Sequence, residues 1–205
     1  MRQFSIFAVL CSFLLLSSCA AMGVVATSDP HTKLDDAEEL FMRQGRPLPA
    51  ERLIWEAIAI YQERDDPHGL GNANREYGDL LRSPAVAKWE KVYRRDGFQD
   101  KSIDFDNRFA KASEFYRLAL SYYRRAEQLH RDAGRFDTLT NVYFNMATSH
   151  ENLGEHSEAC VYYDRTLEAY KETVQRNPTA KPYAPPSFGS VPNLIASQKR
   201  RAGCS

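Results

Sequence analysis

Five histidines, four cysteines and a run of acidic residues are the side chains of this 205-residue chain that could do chemistry. His31, His68, His130, His150 and His156 contain no i, i+4 pair, the spacing that sets two imidazoles on one helical face for zinc. His150-Glu151 opens such a motif, but Gly154 stands where the second histidine is required. Asp104-Phe105-Asp106-Asn107 alternates oxygen donors as a calcium loop does, without the loop's spacing or its glycine, so a helix N-terminal cap is the better reading. No glycine-rich phosphate cradle and no GxSxG turn is present. These patterns supply no catalytic set and no metal site, and the chain reads as a non-enzyme. The thiols remain. Cys11 lies inside an apolar run and Cys19 closes it, whereas Cys160 and Cys204 lie far downstream. In an oxidising compartment the last two could pair, or they could stay as one buried and one terminal thiol.

Between Arg2 and Asp29 there is no charge. About 20 apolar residues would span a bilayer, so an uncleaved anchor is one reading. The composition shifts within the window, however. Phe4 to Leu16 is bulky and apolar, and Ser17, Ser18, Cys19, Ala20, Ala21 and Gly23 are small, which is the layout of a cleavable signal. Leu16-Ser17-Ser18-Cys19 resembles the lipobox of bacterial lipoproteins. The resemblance implies cleavage after residue 18 and a covalent lipid on Cys19, with no other cofactor. Ala20 in place of an aspartate implies the outer membrane, with the domain facing the periplasm. Several acyl chains, at about 0.8 kcal/mol per buried CH₂, hold a protein at a membrane.

Basic and acidic residues balance at 27 each, and without residues 1–18 they stand at 26 and 27. Such balance excludes a nucleic-acid binder, which needs a basic stripe. Residues 19–33 read as the lipidated cysteine and a short polar tether, 34–175 as a helical domain, and 176–205 as a tail that holds five of the ten prolines between Pro178 and Pro192. A short apolar return, Val191 to Ala196, could dock on the last helices.

One helical pattern occurs three times. Ala50-x3-Ile54-x2-Ala57-Ile58-x2-Tyr61 is repeated as Ala112, Tyr116, Ala119, Leu120, Tyr123 and as Ala159, Tyr163, Thr166, Leu167, Tyr170. Gly45 and Gly154 each precede the first alanine by five residues and mark turns. Leu70, Asn72 and Gly78 match Leu139, Asn141 and Ala147 at an offset of 69, so small residues fall where paired helices approach closely. Residues 83–107 interrupt the second pair, and a longer interval from Tyr123 to Ala147 predicts extra helical turns around Arg124 to Ala133.

This arrangement resembles the tetratricopeptide repeat over roughly residues 35–175, which implies an all-α helical-repeat solenoid of about three helix pairs. In the first pair Glu38 occupies a position the family keeps small, leaving the helix Leu34 to Gln44 either frayed or a cap. The resemblance implies a concave face lined by Asn72, Arg75, Asp79, Arg82, Asn141, Phe144, Thr148, Glu151 and Asn152, suited to a peptide backbone, with arginine for carboxylates. Arg75, read as an exposed helical position, should tolerate charge reversal. The insertion interleaves Trp89, Tyr93, Arg94, Arg95 and Phe98; it reads either as a partner-binding excursion or as a short helix, Ala85 to Tyr93, folded over the repeat edge. The expected function is a scaffold or assembly factor that holds an envelope protein or its peptide segment. The alternatives are a structural lipoprotein bridging membrane and peptidoglycan, and a cell-wall enzyme.

Overall fold

The structure, a computed structural model, describes residues 27–180, 182 and 184–204. The expected signal of residues 1–18, Cys19 and residues 20–26 of the expected tether lie outside the described residues. Nine α-helices follow, with no strand among the described residues: α1 Pro30–Glu38, α2 Pro47–Glu63, α3 Pro67–Arg82, α4 Pro84–Lys88, α5 Glu90–Asp96, α6 Arg108–Asp132, α7 Phe136–Asn152, α8 His156–Arg176 and α9 Val191–Ala202.

Proline opens four of these helices and is the second residue of α9, where its missing N–H is one of the groups a helix start leaves unpaired anyway. Asp29, Asp66, Ser83 and Ser190 cap four of them by accepting a backbone N–H of the first turn. The Asp29-Pro30 start corrects the expectation of a tether up to residue 33. Asp29 accepts from Thr32 N at 2.9 Å and from its hydroxyl at 2.6 Å, and Lys33 and Leu34 are already buried. Gly45 and Gly154 end their helices at φ 65° and 77°, the left-handed conformation that makes the chain turn back.

The first helix of the domain is neither frayed nor regular. After α1 the chain makes a π turn, Glu39–Arg43, which takes in one residue more than an α turn. That extra residue shifts the register. Ala37, fully buried, takes the seat expected at residue 38, and Glu38 faces solvent.

Helices pack as the pairs α1/α2, α3/α6 and α7/α8, and the pairs join through α2/α3 and α6/α7. Ala50, Ala112 and Ala159 are all fully buried at these seams. A Cβ added to Gly78 would lie 2.7 Å from the Tyr116 ring, and one on Gly69 2.1 Å from the Tyr61 ring, so tyrosines occupy the space the glycines leave. Helix α6 runs 25 residues and contains the extra turns expected around Arg124.

The insertion folds onto the first pair as α4, α5 and a loop, two short helices where one was expected. Trp89 Nε1 donates to Gly45 O at 3.0 Å, and Glu51 Oε1 accepts from Gln99 N at 2.8 Å. Asn107 stands at the start of α6 but does not cap it. Its Oδ1 accepts Asp104 N at 3.0 Å and its Nδ2 donates to Ser102 O at 3.2 Å, so the amide is spent on the preceding turn. At the other end, α9 packs on α8 with Ile195 fully buried, and Cys160 and Cys204 form a disulfide. Val191 to Ala196 is thus the first half of a helix.

Candidate functional site

The first helices of the three pairs are neighbours, α1 beside α3 and α3 beside α7. Their facing residues form a polar zipper. Asn72 Oδ1 accepts from Asn145 Nδ2 and from the Tyr123 hydroxyl, both at 2.9 Å. Seven residues, or two turns, on, Asp79 Oδ1 accepts from Asn152 Nδ2 at 3.0 Å and from the Tyr116 hydroxyl at 2.7 Å. Arg82 donates to Asn152 O at 2.6 Å. The Asn72–Asn145 and Asp79–Asn152 pairs both span 73 residues, one helical turn more than the offset of 69 between equivalent positions, so α3 and α7 meet in a staggered register.

Arg75 lies within this zipper rather than on an open face. Its guanidinium donates to Asp79 at 2.6 Å and to Glu76 at 3.0 Å, with only 24% of the side chain exposed. Burial works against its charge, but Asp79 and Glu76 outweigh burial and hold the proton more firmly than usual. The expectation that Arg75 is a solvated position is therefore corrected.

Glu76 is the residue the pattern missed. It is 4% exposed, and its carboxyl is raised by desolvation, which Arg75 offsets only in part while Asp79 and Glu38 push it further. A signal did exist. Glu76 follows Ala73 by three residues and precedes Leu80 by four, so an acid falls on the stripe that makes the core.

The groove residues divide between two places. Asp79, Arg82 and Asn152 line a pocket of about 220 Å³ together with Glu38, Phe41, Met42 and Glu76. Asn141 and Phe144 instead line a cavity of about 640 Å³ between α7, α8, the proline-rich segment and α9, with Val191, Leu194 and Ile195 on its far wall. Glu151 is taken up by the chain itself: Arg201 of α9 donates to both its oxygens, at 2.6 and 3.0 Å, and the Tyr163 hydroxyl donates at 2.8 Å. Burial would raise the Glu151 carboxyl, but these donors hold it below its ordinary value. Thr148, half-buried, donates its hydroxyl to Asn145 O.

In the insertion, Tyr93 and Phe98 are core, 1% and 0% exposed, their rings stacked at 4.2 Å. They cannot meet a partner in this fold. Trp89 is half-buried against the α1–α2 turn, Arg94 pairs with Glu90 and Asp106, and Arg95 pairs with Asp96. Of the two readings of this segment, folding over the repeat edge describes it.

Among the described residues no group of three or more His, Cys, Asp or Glu side chains is placed to hold a metal ion. The model of the tetratricopeptide repeat matches residues 142–179, from the middle of α7 to just past α8. That stretch is a tetratricopeptide repeat. Its helices are the third pair, and the two pairs before it carry the same alanine seam in an all-α helical-repeat fold. Tetratricopeptide repeats generally mediate protein–protein binding, and stacked repeats offer the faces of their first helices for it. Neither the curated proteins nor the solved structures gave a match to the chain.

Proposed function

We propose that this chain is an outer-membrane lipoprotein, held by lipid on Cys19, whose repeat domain faces the periplasm and holds an envelope protein or its peptide segment as a scaffold or assembly factor. The observation that carries the reading is the tetratricopeptide repeat at 142–179, stacked on two further pairs so that Asn152 of α7, Arg82 of α3 and Met42 of the π turn after α1 surround one pocket. The Cys160–Cys204 disulfide favours an oxidising compartment over a reducing one. The sequence Leu16-Ser17-Ser18-Cys19 supports the anchor. Among the described residues no helix is long and apolar enough to cross a membrane.

Crosslinking in intact envelopes, followed by affinity capture of the full chain, tests the binding role. Enrichment of one or a few envelope proteins is expected, and its absence would remove the scaffold reading. In the same cells Cys19→Ser should abolish labelling by palmitate and release the folded domain from membranes or leave the precursor uncut. Labelling equal to that of the unaltered chain would refute the anchor.

A further inference from the structure

We propose that the pocket between α1, α3 and α7 receives one cationic side chain, a lysine ammonium or arginine guanidinium, with Glu76 as its anion. This deepens the scaffold reading and rests on it for the source of the cation, a peptide segment of the partner.

The argument runs from the donors and acceptors present. Of the arginines that would serve a carboxylate guest, Arg75 does not line the pocket and turns two of its N–H groups to Glu76 and Asp79, its Nε buried and unpartnered among the described residues, and Arg82 donates to Asn152 O. Asp79 is satisfied, with one oxygen taking Arg75 and the other taking Tyr116 and Asn152. Glu76 is not. Its Oε2 takes one N–H from Arg75, and its Oε1, buried, accepts from no group among the described residues. A buried carboxylate oxygen without a donor costs about 1–3 kcal/mol or more, so a guest bringing N–H groups and positive charge recovers that loss. Glu38, exposed at the rim, adds a second negative charge. An anionic guest would face both acids.

Size and lining agree with a single side chain. At about 220 Å³ the pocket falls below the roughly 300–1,000 Å³ of small-molecule clefts. Phe41 and Met42, the latter 62% exposed, present apolar surface along which the methylene stem of a lysine can lie while its head reaches the acid.

The test uses the full chain and small probes, so it does not depend on finding the partner. Nα-acetyl-lysine methylamide should bind at least about tenfold more tightly than the uncharged norleucine analogue, since a hydrogen bond to a charged group contributes about 1.5–3 kcal/mol. Equal affinities would overturn the proposal, as would tighter binding of N-acetylalanine, a carboxylate probe. Glu76→Gln should erase the preference for lysine; a folded variant that keeps it would refute the role of Glu76. Should that variant fail to fold, the unaltered protein with ¹³C-labelled glutamate answers instead: the lysine probe must move the Glu76 carboxyl resonance, and an unmoved resonance would overturn the assignment. Affinity for the lysine probe should also rise with pH, because the cation favours the ionised form of a carboxyl that burial raises amid Asp35 and Glu38 of α1, Arg75, Asp79 and Arg82 of α3, and Tyr116 and Tyr123 of α6. A flat pH profile from 6 to 9 would count against it. If envelope capture returns no partner while the lysine preference stands, only the scaffold reading falls.

Discussion

Arg75 sits on α3 where helical periodicity assigns a solvent-facing side chain, yet its guanidinium bridges Glu76 and Asp79 beneath the α3–α7 zipper. Removing one partner of a buried pair leaves the other charges without compensation, which costs about 3–5 kcal/mol. Arg75→Glu goes further by placing three acids within five residues of one helix. We expect urea denaturation to show a loss of at least about 3 kcal/mol for Arg75→Glu, while Arg82→Glu, an exposed position, changes stability by less than about 1 kcal/mol. If the two variants melt alike, the Arg75 pairs are dispensable and the zipper is held by its amides and tyrosines. The sequence could not separate the two arginines. Both fall on the same face of α3, and what distinguishes them is that Arg75 bridges the acids Glu76 and Asp79 under cover while Arg82, exposed, reaches only the Asn152 carbonyl.

At the scale of the elements, the helix pairs were legible because their determinants are local. Alanine at 50, 112 and 159 with a large residue four positions on, Ile54, Tyr116 and Tyr163, fixes one side of each seam; the second and third seams formed as read, and the first takes Ala37 in place of residue 38. The π turn at Glu39–Arg43 was hidden, since one inserted residue leaves the apolar spacing of a single helix nearly unchanged. The seat of α9 was hidden for another reason. It depends on Asp164 accepting from Lys199 at 2.7 Å, on Glu151 meeting Arg201, and on a disulfide, all contacts 35 to 50 residues apart in the chain. The Cys160–Cys204 link has a sequence separation of 44, and the chain-entropy account of so large a loop gives roughly 3–4 kcal/mol. Replacing both cysteines by serine should therefore speed amide exchange across 191–202 and loosen the far wall of the 640 Å³ cavity, with α3 and α6 unaffected. Unchanged exchange in α9 would mean that Val191, Ile195 and the two ion pairs hold it without the covalent link.

For the molecule as a whole, buried titratable groups set the pH range of stability, and they pull in opposite directions. Glu51 and Glu76 are raised by burial, so the unfolded chain loses their protons first and their cost to the fold shrinks as the pH falls toward ordinary carboxylate values. His68, at the start of α3, does the reverse. Its ring packs 5.5 Å from that of His130 at the end of α6, its Nε2 is buried without a partner among the described residues, and burial together with His130 lowers it to about 4. The unfolded chain takes up that proton near 6.5, the folded chain only near 4, so the fold loses stability as the pH falls through this window. The loss between pH 7 and pH 5 should be about 1–2 kcal/mol. His68→Phe keeps an aromatic ring against His130 and Tyr123 and removes the titration. Measured by urea denaturation at both pH values, the variant should gain that amount over the unaltered protein on going from pH 7 to pH 5. A difference that is the same at the two pH values would mean that His68 takes up its proton equally well in both states, and that the acid limb of stability comes from the carboxylates held low by arginines, Glu151 by Arg201 and Asp106 by Arg94.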